Sequence, residues 1–177
     1  ATGSRDKSAK LWEMSTGREV RSFLGHEATV TSIEFTRDGR YLISGSNDKT
    51  IRIWDVNSGR EIYSITTPDI ITDLAIDPKM KFFIVTGYGN TGYGDSATIY
   101  DFNSRKVLKK LPVNPDKGLG SGVDVAVSPD GKWIAFGEDN RVVNLYQSTD
   151  WAKIKTFQFE EGFCGGCGTR AVFSPDS

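Results

Sequence analysis

The chain contains a single histidine, His26, among its 177 residues. A Ser–His–Asp triad needs an imidazole beside a nucleophile, and a His-rich metal site needs several imidazoles. No nucleophile in the sequence supports a catalytic role for His26. The sequence therefore predicts a structural role for this residue, with no catalytic residue and no cofactor.

Cys164 and Cys167 form a Cys-x-x-Cys pair, a spacing that suits a metal knuckle or a redox couple. A zinc site needs two further ligands, and the sequence offers neither a second cysteine pair nor a nearby histidine. A redox motif places its cysteine at the start of a helix, and this region predicts no helix. We expect an ordinary loop here and keep a metal or redox module as an alternative.

Two glycine-rich stretches, 87–94 and 118–122, superficially resemble phosphate-binding loops. Neither contains the Lys–Ser/Thr step of a P-loop, and neither lies between a predicted strand and a predicted helix. We therefore expect no phosphate site at either stretch.

Residues 25–65 indicate which elements position these side chains. Runs of Val, Ile, Thr and aromatic residues at strand length, separated by Gly, Asn and Asp, predict an antiparallel meander. A single sheet of this size cannot cover both of its apolar faces, so it needs neighbouring sheets. The four predicted strands are Val30–Phe35, Tyr41–Gly45, Thr50–Trp54 and Glu61–Ile65.

The pattern of this stretch recurs along the whole chain. Three markers share one register: an aromatic residue near the end of the third strand, the fourth strand, and the first turn. A period of roughly 40–45 residues with four strands per unit is typical of a propeller blade. The aromatic residues are Trp12, Trp54, Tyr100 and Tyr146, the fourth strands lie in 15–23, 57–65, 103–111 and 149–157, and the first turns lie in 35–42, 76–83, 127–134 and 173–177.

The second unit contains both Gly25–His26 and Trp54–Asp55. On these steps and on the period, the chain resembles the WD-repeat β-propeller family along its whole length. The resemblance implies an all-β fold, a β-propeller of four-stranded antiparallel blades, with about four blades in this chain. It divides the chain into 1–24 (the last three strands of a blade), 25–65 (a complete blade), 66–111 (a complete blade with an enlarged connection between its second and third strands), 112–157 (a complete blade) and 158–177 (a loop and the first strand of the next or closing blade).

Both ends of the chain align with the interior of a blade. Ala1–Ser4 aligns with a second strand, and Ser177 aligns with Gly39 in the turn after a first strand. We therefore expect a piece of a longer protein. Three closures remain open: a larger ring of seven or eight blades completed by the remainder of the parent chain, a ring of two copies that exchange Arg170–Phe173, or a self-closed ring of four blades.

The resemblance also implies a structural network around His26. In this family the histidine of the Gly–His step bonds to a Ser or Thr of the second strand, to an Asp of the following turn, and through them to the third-strand Trp. A buried imidazole needs such partners. The matching residues are Ser44, Asp48 and Trp54 in the second unit, and Thr2, Asp6 and Trp12 in the first.

Three connections are longer than their counterparts in the second unit. They lie within the third blade, before the fourth blade and after it, and in a propeller these connections project from one face. Aromatic, amide and charged side chains on loops of a rigid scaffold predict a surface that binds a protein or peptide. The predicted contact residues are Tyr88, Asn90, Tyr93, Asp95, Asp116, Lys117, Phe163 and Arg170.

Composition narrows the classes of partner. The formal net charge is −1, and the basic residues are spread over every unit, which gives no electrostatic reason to expect nucleic acid. No apolar run approaches the roughly 20 residues of a membrane span, so we expect no membrane partner and a cytoplasmic location.

These observations favour a non-enzymatic scaffold for protein–protein interaction. One alternative is a regulatory propeller domain of a larger signalling or catalytic protein, and another is a metal or redox module at Cys164 and Cys167. A site in the central channel needs converging carboxylates at equivalent first-strand positions, and the sequence suggests none.

Overall fold

The computed structural model describes residues 1–88, 95–113, 123–138, 142–159 and 169–176. Within these ranges the chain forms fifteen β-strands in four antiparallel sheets. The predicted all-β architecture of about four propeller blades is therefore confirmed. None of the described segments is a helix that could cross a membrane.

Each sheet is a meander in which strands that follow one another in the chain are hydrogen-bonded neighbours. The first sheet has three strands and the other three have four. The strands of the first two sheets are β1 (Thr2–Gly3), β2 (Ser8–Trp12), β3 (Glu19–Leu24), β4 (Val30–Phe35), β5 (Tyr41–Ser46), β6 (Thr50–Asp55) and β7 (Glu61–Thr66). Those of the third and fourth sheets are β8 (Ile70–Ile76), β9 (Phe82–Tyr88), β10 (Asp95–Asp101), β11 (Val107–Val113), β12 (Asp124–Val127), β13 (Trp133–Glu138), β14 (Val142–Gln147) and β15 (Lys153–Gln158).

The four strands predicted for the second unit are confirmed. β4 has the predicted bounds, and β5, β6 and β7 each extend one residue further, to Ser46, Asp55 and Thr66. The difference arises because ladder hydrogen bonds continue into the first polar residue of each turn. Composition alone assigns that residue to the turn.

The strand predicted over Arg170–Phe173, as the first strand of the next or closing blade, stays a prediction. These residues have no regular secondary structure, because a strand is defined by its ladder with a neighbour and no described strand pairs with them. They nevertheless lie against the fourth sheet, since a Cβ placed on Gly137 of β13 would come 1.8 Å from the carbonyl oxygen of Thr169.

The core lies between consecutive sheets. Ile, Leu, Phe and aromatic side chains from both faces of the second and third sheets are buried, which is why these strands are apolar at successive as well as alternate positions. The substantial contacts between described sheets join neighbours in chain order, chiefly through β4, β8 and β12. The central cluster contains Ile43, Ile51, Ile53, Ile71, Leu74, Ile76, Phe83, Val85, Tyr100 and Phe102.

Candidate functional site

The first strands of neighbouring sheets are joined side by side through their side chains. β8 packs against β4 on one side and against β12 on the other. In β4 the pairing register with β5 shifts between Val30 and Ser32, and in β8 the register with β9 shifts between Ile71 and Asp73. Such a bulge turns the next side chain in a new direction. Here it places Ser32 and Asp73 at equivalent positions of adjacent strands.

Asp73 bonds to both neighbouring sheets. Its Oδ1 accepts a hydrogen bond from the Ser32 hydroxyl at 2.7 Å, and its Oδ2 accepts one from the backbone N–H of Val125 at 3.0 Å. The carboxylate therefore satisfies a backbone donor of β12 that faces away from the β12–β13 ladder.

Asp124 stands in the fourth sheet where Asp73 stands in the third. Its Oδ2 accepts a 3.4 Å hydrogen bond from the backbone N–H of Ala171, and its Oδ1 lies 3.9 Å from Nε of Arg170. Burial, the charge of Asp73 and a hydrogen bond shared with Asp73 raise the pKa of Asp124 to about 6. The negative charge of Asp73 disfavours ionisation of Asp124.

This pair corrects the expectation that the first strands carry no carboxylates at equivalent positions. Asp73 and Asp124 each lie three residues before the last residue of their strand, Ile76 and Val127. That common offset was the signal available in the sequence. Among the described residues, however, no group of three or more His, Cys, Asp or Glu side chains is arranged to hold a metal ion.

The residues predicted to surround His26 are brought together in the second sheet. Nδ1 of His26 lies 2.8 Å from Oδ2 of Asp48, and Nε2 lies 2.7 Å from Oγ of Ser44. Trp54 donates its indole N–H to the same Ser44 oxygen at 2.8 Å. Ser44 then donates its own proton to Nε2, which leaves Nδ1 as the donor to Asp48.

The electrostatics of this network fix a neutral histidine beside an ionised aspartate. Burial lowers the pKa of His26, and this outweighs the attraction of Asp48. Burial by itself raises the pKa of Asp48, but hydrogen bonds from Thr50, from the backbone of Glu27 and from His26 outweigh it and lower this pKa to about 2. The side chains of His26, Ser44, Asp48 and Trp54 therefore all have hydrogen-bond partners within the network.

In the first sheet the corresponding residues make a smaller and more exposed set. Trp12 donates to the hydroxyl of Thr2 at 2.9 Å, while Asp6 accepts from Ser8. The Trp–hydroxyl contact is thus repeated between the first and second sheets, but the buried carboxylate–imidazole contact belongs to the second.

Most of the predicted partner-binding residues lie outside the described residues. The structure describes only the backbone of Tyr88 and Asp95, and these two residues pair with each other between β9 and β10. Arg170 is described in full and its side chain is 86% exposed. The residues outside the described ranges are Asn90, Tyr93, Asp116, Lys117, Phe163, Cys164 and Cys167.

Comparison with known proteins identifies the repeat. The family model described as "WD domain, G-beta repeat" matches residues 17–55 and 115–147. The chain carries WD40 repeats. Together with the sheet topology, this shows a WD-repeat β-propeller segment of about four blades, and each sheet is referred to below as a blade.

One relative is similar to a short stretch of the chain at high identity, and two are similar to most of the chain at low identity. The Lissencephaly-1 homolog of Heterostelium pallidum is 54% identical over 44 residues, which is 25% of this chain and 11% of that protein. Eukaryotic translation initiation factor 3 subunit I of Candida albicans is 25% identical over 162 residues, 88% of this chain and 46% of that protein. Small ribosomal subunit protein RACK1 of Caenorhabditis elegans is 25% identical over 148 residues, 80% of this chain and 44% of that protein. The chain thus spans less than half the length of each.

Proposed function

We propose that this chain is a non-enzymatic scaffold for protein–protein interaction, and that it binds a protein or peptide on the propeller face carrying its enlarged connections. WD40 repeats are associated with scaffold roles in general. The pairing of the strand ends in the third and fourth blades supports the choice of this face.

The observation that carries the proposal is the pairing of Asp95. This residue pairs with Tyr88 of β9 and with Val113 of β11. The connection 89–94 and the connection that follows Val113 therefore leave the third blade side by side. In the second blade the matching connections, 47–49 and 67–69, have three residues each. In the third blade the connections 89–94 and 114–123 have six and ten residues, so each is longer than its counterpart in the second blade.

The fourth blade repeats this arrangement at the same end. Val142 pairs with Glu138 of β13 and with Gln158 of β15, so the connection 139–141 and the segment after Gln158 also leave side by side. The third and fourth blades are held together there by a 2.6 Å hydrogen bond from the hydroxyl of Thr86 to the carbonyl oxygen of Val123. A rigid pair of blades beneath several loops is the usual setting of a binding surface.

The proposal also includes completion of the propeller ring and a cellular location. We propose that other blades, from a parent chain or a second copy, complete the ring beside residues 169–171, which contact β12 and β13 of the fourth blade. A cytoplasmic location is proposed because two relatives are named as a translation initiation factor subunit and a small ribosomal subunit protein.

Photo-crosslinking from the two ends of the blades tests the binding face. A photoreactive amino acid is placed at Asn90 or Tyr93 for the enlarged connections, and at Asn103 or Thr149 in exposed turns at the opposite end. We expect one protein to crosslink from Asn90 and Tyr93 but not from Asn103 or Thr149. Equal crosslinking from both ends would contradict the proposed face.

A further inference from the structure

A cavity of about 280 Å³ opens at the end of the blades opposite to the enlarged connections. It lies where the turns that follow β4, β8 and β12 meet. Phe35, Ile76 and Pro129 contribute apolar walls, one from each of three blades, and Glu34 and Asp77 contribute carboxyls. The cavity therefore combines an apolar lining with negative charge.

The turn that bears Asp77 departs from its two neighbours. Thr36 and Ser128 occupy the equivalent position after β4 and β12. Each donates its hydroxyl at 2.7 Å to a carboxylate two residues later, Asp38 and Asp130 respectively. These two contacts close the turns of the second and fourth blades.

In the third blade the donor and the acceptor are both changed. Asp77 replaces the hydroxyl residue and Lys79 replaces the carboxylate, so the local partner is lost. Lys79 instead donates across to the backbone oxygen of Asp130 at 2.7 Å. Asp77 keeps one contact, a 3.1 Å hydrogen bond from the backbone N–H of Lys81 to its Oδ2.

The other oxygen of Asp77 has no hydrogen-bond partner among the described residues. Asp77 is 1% exposed, and its Oδ1 is buried without a donor in that part of the chain. A buried carboxylate oxygen left in this way is costly. Gly131 lies directly against it, since a Cβ at that position would come 2.5 Å from Oδ1. The glycine leaves the carboxylate free of a steric clash but offers it no donor.

We propose that this cavity, the turn cavity, binds a Lys or Arg side chain of a partner protein. The aliphatic stem packs between Phe35, Ile76 and the turn prolines. The cationic head reaches Glu34 directly, and it reaches the carboxyl of Asp77, which is 1% exposed, after a small shift of that side chain. Arg37 also lines the cavity, and burial and the charge of Asp73 raise the pKa of Glu34. A bound cation favours the ionised form of Glu34. The site does not depend on the loop face, because the two lie at opposite ends of the blades.

An NMR titration of the full chain tests this binding. The probes are N-acetyl-lysine methylamide and N-acetyl-arginine methylamide, with N-acetyl-norleucine methylamide as a control that has a similar stem and no charge. The reporters are the backbone amides of Lys81 and Gly131, which flank the two oxygens of Asp77. We expect saturable shifts with at least one cationic probe and at least tenfold weaker binding of norleucine. No shifts, or equal shifts with norleucine, would overturn the proposal.

A variant taken from the neighbouring turns separates binding from folding. Asp77→Ser combined with Lys79→Asp restores the pattern of Thr36 with Asp38. We expect this variant to remain folded and to lose the cation-dependent shifts, while Asp150→Asn, a charge change in a distant exposed turn, keeps them. If the double variant does not fold, Asp77→Asn is measured in its place with the same expectation. Undiminished cation binding by a folded Asp77 variant would also overturn the proposal.

Discussion

Asp73 and Asp124 occupy equivalent positions of adjacent first strands, and a protonated Asp124 can donate a hydrogen bond to Asp73. Burial, the charge of Asp73 and this hydrogen bond raise the pKa of Asp124 to about 6. Each carboxyl also accepts a hydrogen bond from a backbone N–H of the next segment along the chain, Val125 for Asp73 and Ala171 for Asp124. Each therefore contacts the segment that follows its own blade. Protonation of the pair changes how well successive blades hold together.

The contribution of Asp124 to the free energy of unfolding should fall as the pH rises from about 4 to about 6. An aspartate with an ordinary pKa titrates at 3.8, whereas the pKa of Asp124 in the folded chain is about 6. Between these values the folded state keeps a proton that the unfolded chain has lost. The shift corresponds to about 3 kcal/mol at most, and solvent screening reduces this to about 1–2 kcal/mol. Asp73 and Arg170 are the charged groups that act on Asp124. Burial raises the pKa of Glu34, which adds to this loss, and lowers the pKa of His26, which opposes it. Urea unfolding between pH 4 and 8 measures the net slope.

Asp124→Asn isolates this contribution. Asparagine donates to Asp73 at every pH and still accepts from Ala171, so we expect a flatter pH dependence and a gain of about 1 kcal/mol at pH 8. Asp150→Asn, an exposed carboxyl in the β14–β15 turn, serves as the control and should leave the slope unchanged. A slope that is the same in Asp124→Asn and the unmodified chain would exclude this pair as its source.

Removing the central hydroxyl of the histidine network should destabilise the second blade. Ser44→Ala leaves the indole N–H of Trp54 and Nε2 of His26 without their shared partner. Because both groups are buried, we expect a loss of about 1–3 kcal/mol in urea unfolding. Thr2→Ala removes the matching contact to Trp12 at an exposed site, where we expect less than about 0.5 kcal/mol. Similar losses at the two sites would argue against a special contribution from burial.

The loss of stability on truncation of the repeated aromatic residues should likewise increase with their burial. Trp54 is 1% exposed and packs against Phe23 with ring centroids 5.8 Å apart. We expect Trp54→Ala to cost about 3–5 kcal/mol. Trp12 is only partly buried, so Trp12→Ala should cost distinctly less. Thermal unfolding followed by circular dichroism compares the two, and equal shifts in Tm would contradict the assignment of Trp54 to the core.

The sequence predicts the parts of this fold that depend on local pattern. The observed bounds of β4 follow from its alternation and its flanking turn residues, and both of these signals are local. The strand predicted at Arg170–Phe173 stays a prediction, because strand formation there needs a pairing neighbour, which a run of β-forming residues does not supply. Assignment of partners to His26 rests on the resemblance to the WD-repeat family.

The contact between Asp73 and Asp124 and the role of Asp77 in the turn cavity could not be predicted from the sequence for a different reason. Asp73 and Asp124 lie in different blades, and their contact depends on a bulge and on the angle between sheets. Asp77 lies in a turn that occupies the same place in its blade as the turns at Thr36 and Ser128. The absence of a hydrogen-bond donor to Oδ1 of Asp77 among the described residues is seen only when the hydrogen bonds of all three turns are compared.

Binding of the crosslinked partner to a loop-shortened chain tests the scaffold proposal most directly. Residues 89–94 are replaced by Asn-Asp-Lys, the connection at residues 47–49 of the second blade. As a matched control, Asn103→Ala and Thr149→Ala change exposed turns at the opposite end. We expect the shortened chain to keep its Tm and to lose at least tenfold in affinity by calorimetry, while the control binds unchanged. Full affinity in a folded, loop-shortened chain would contradict the account.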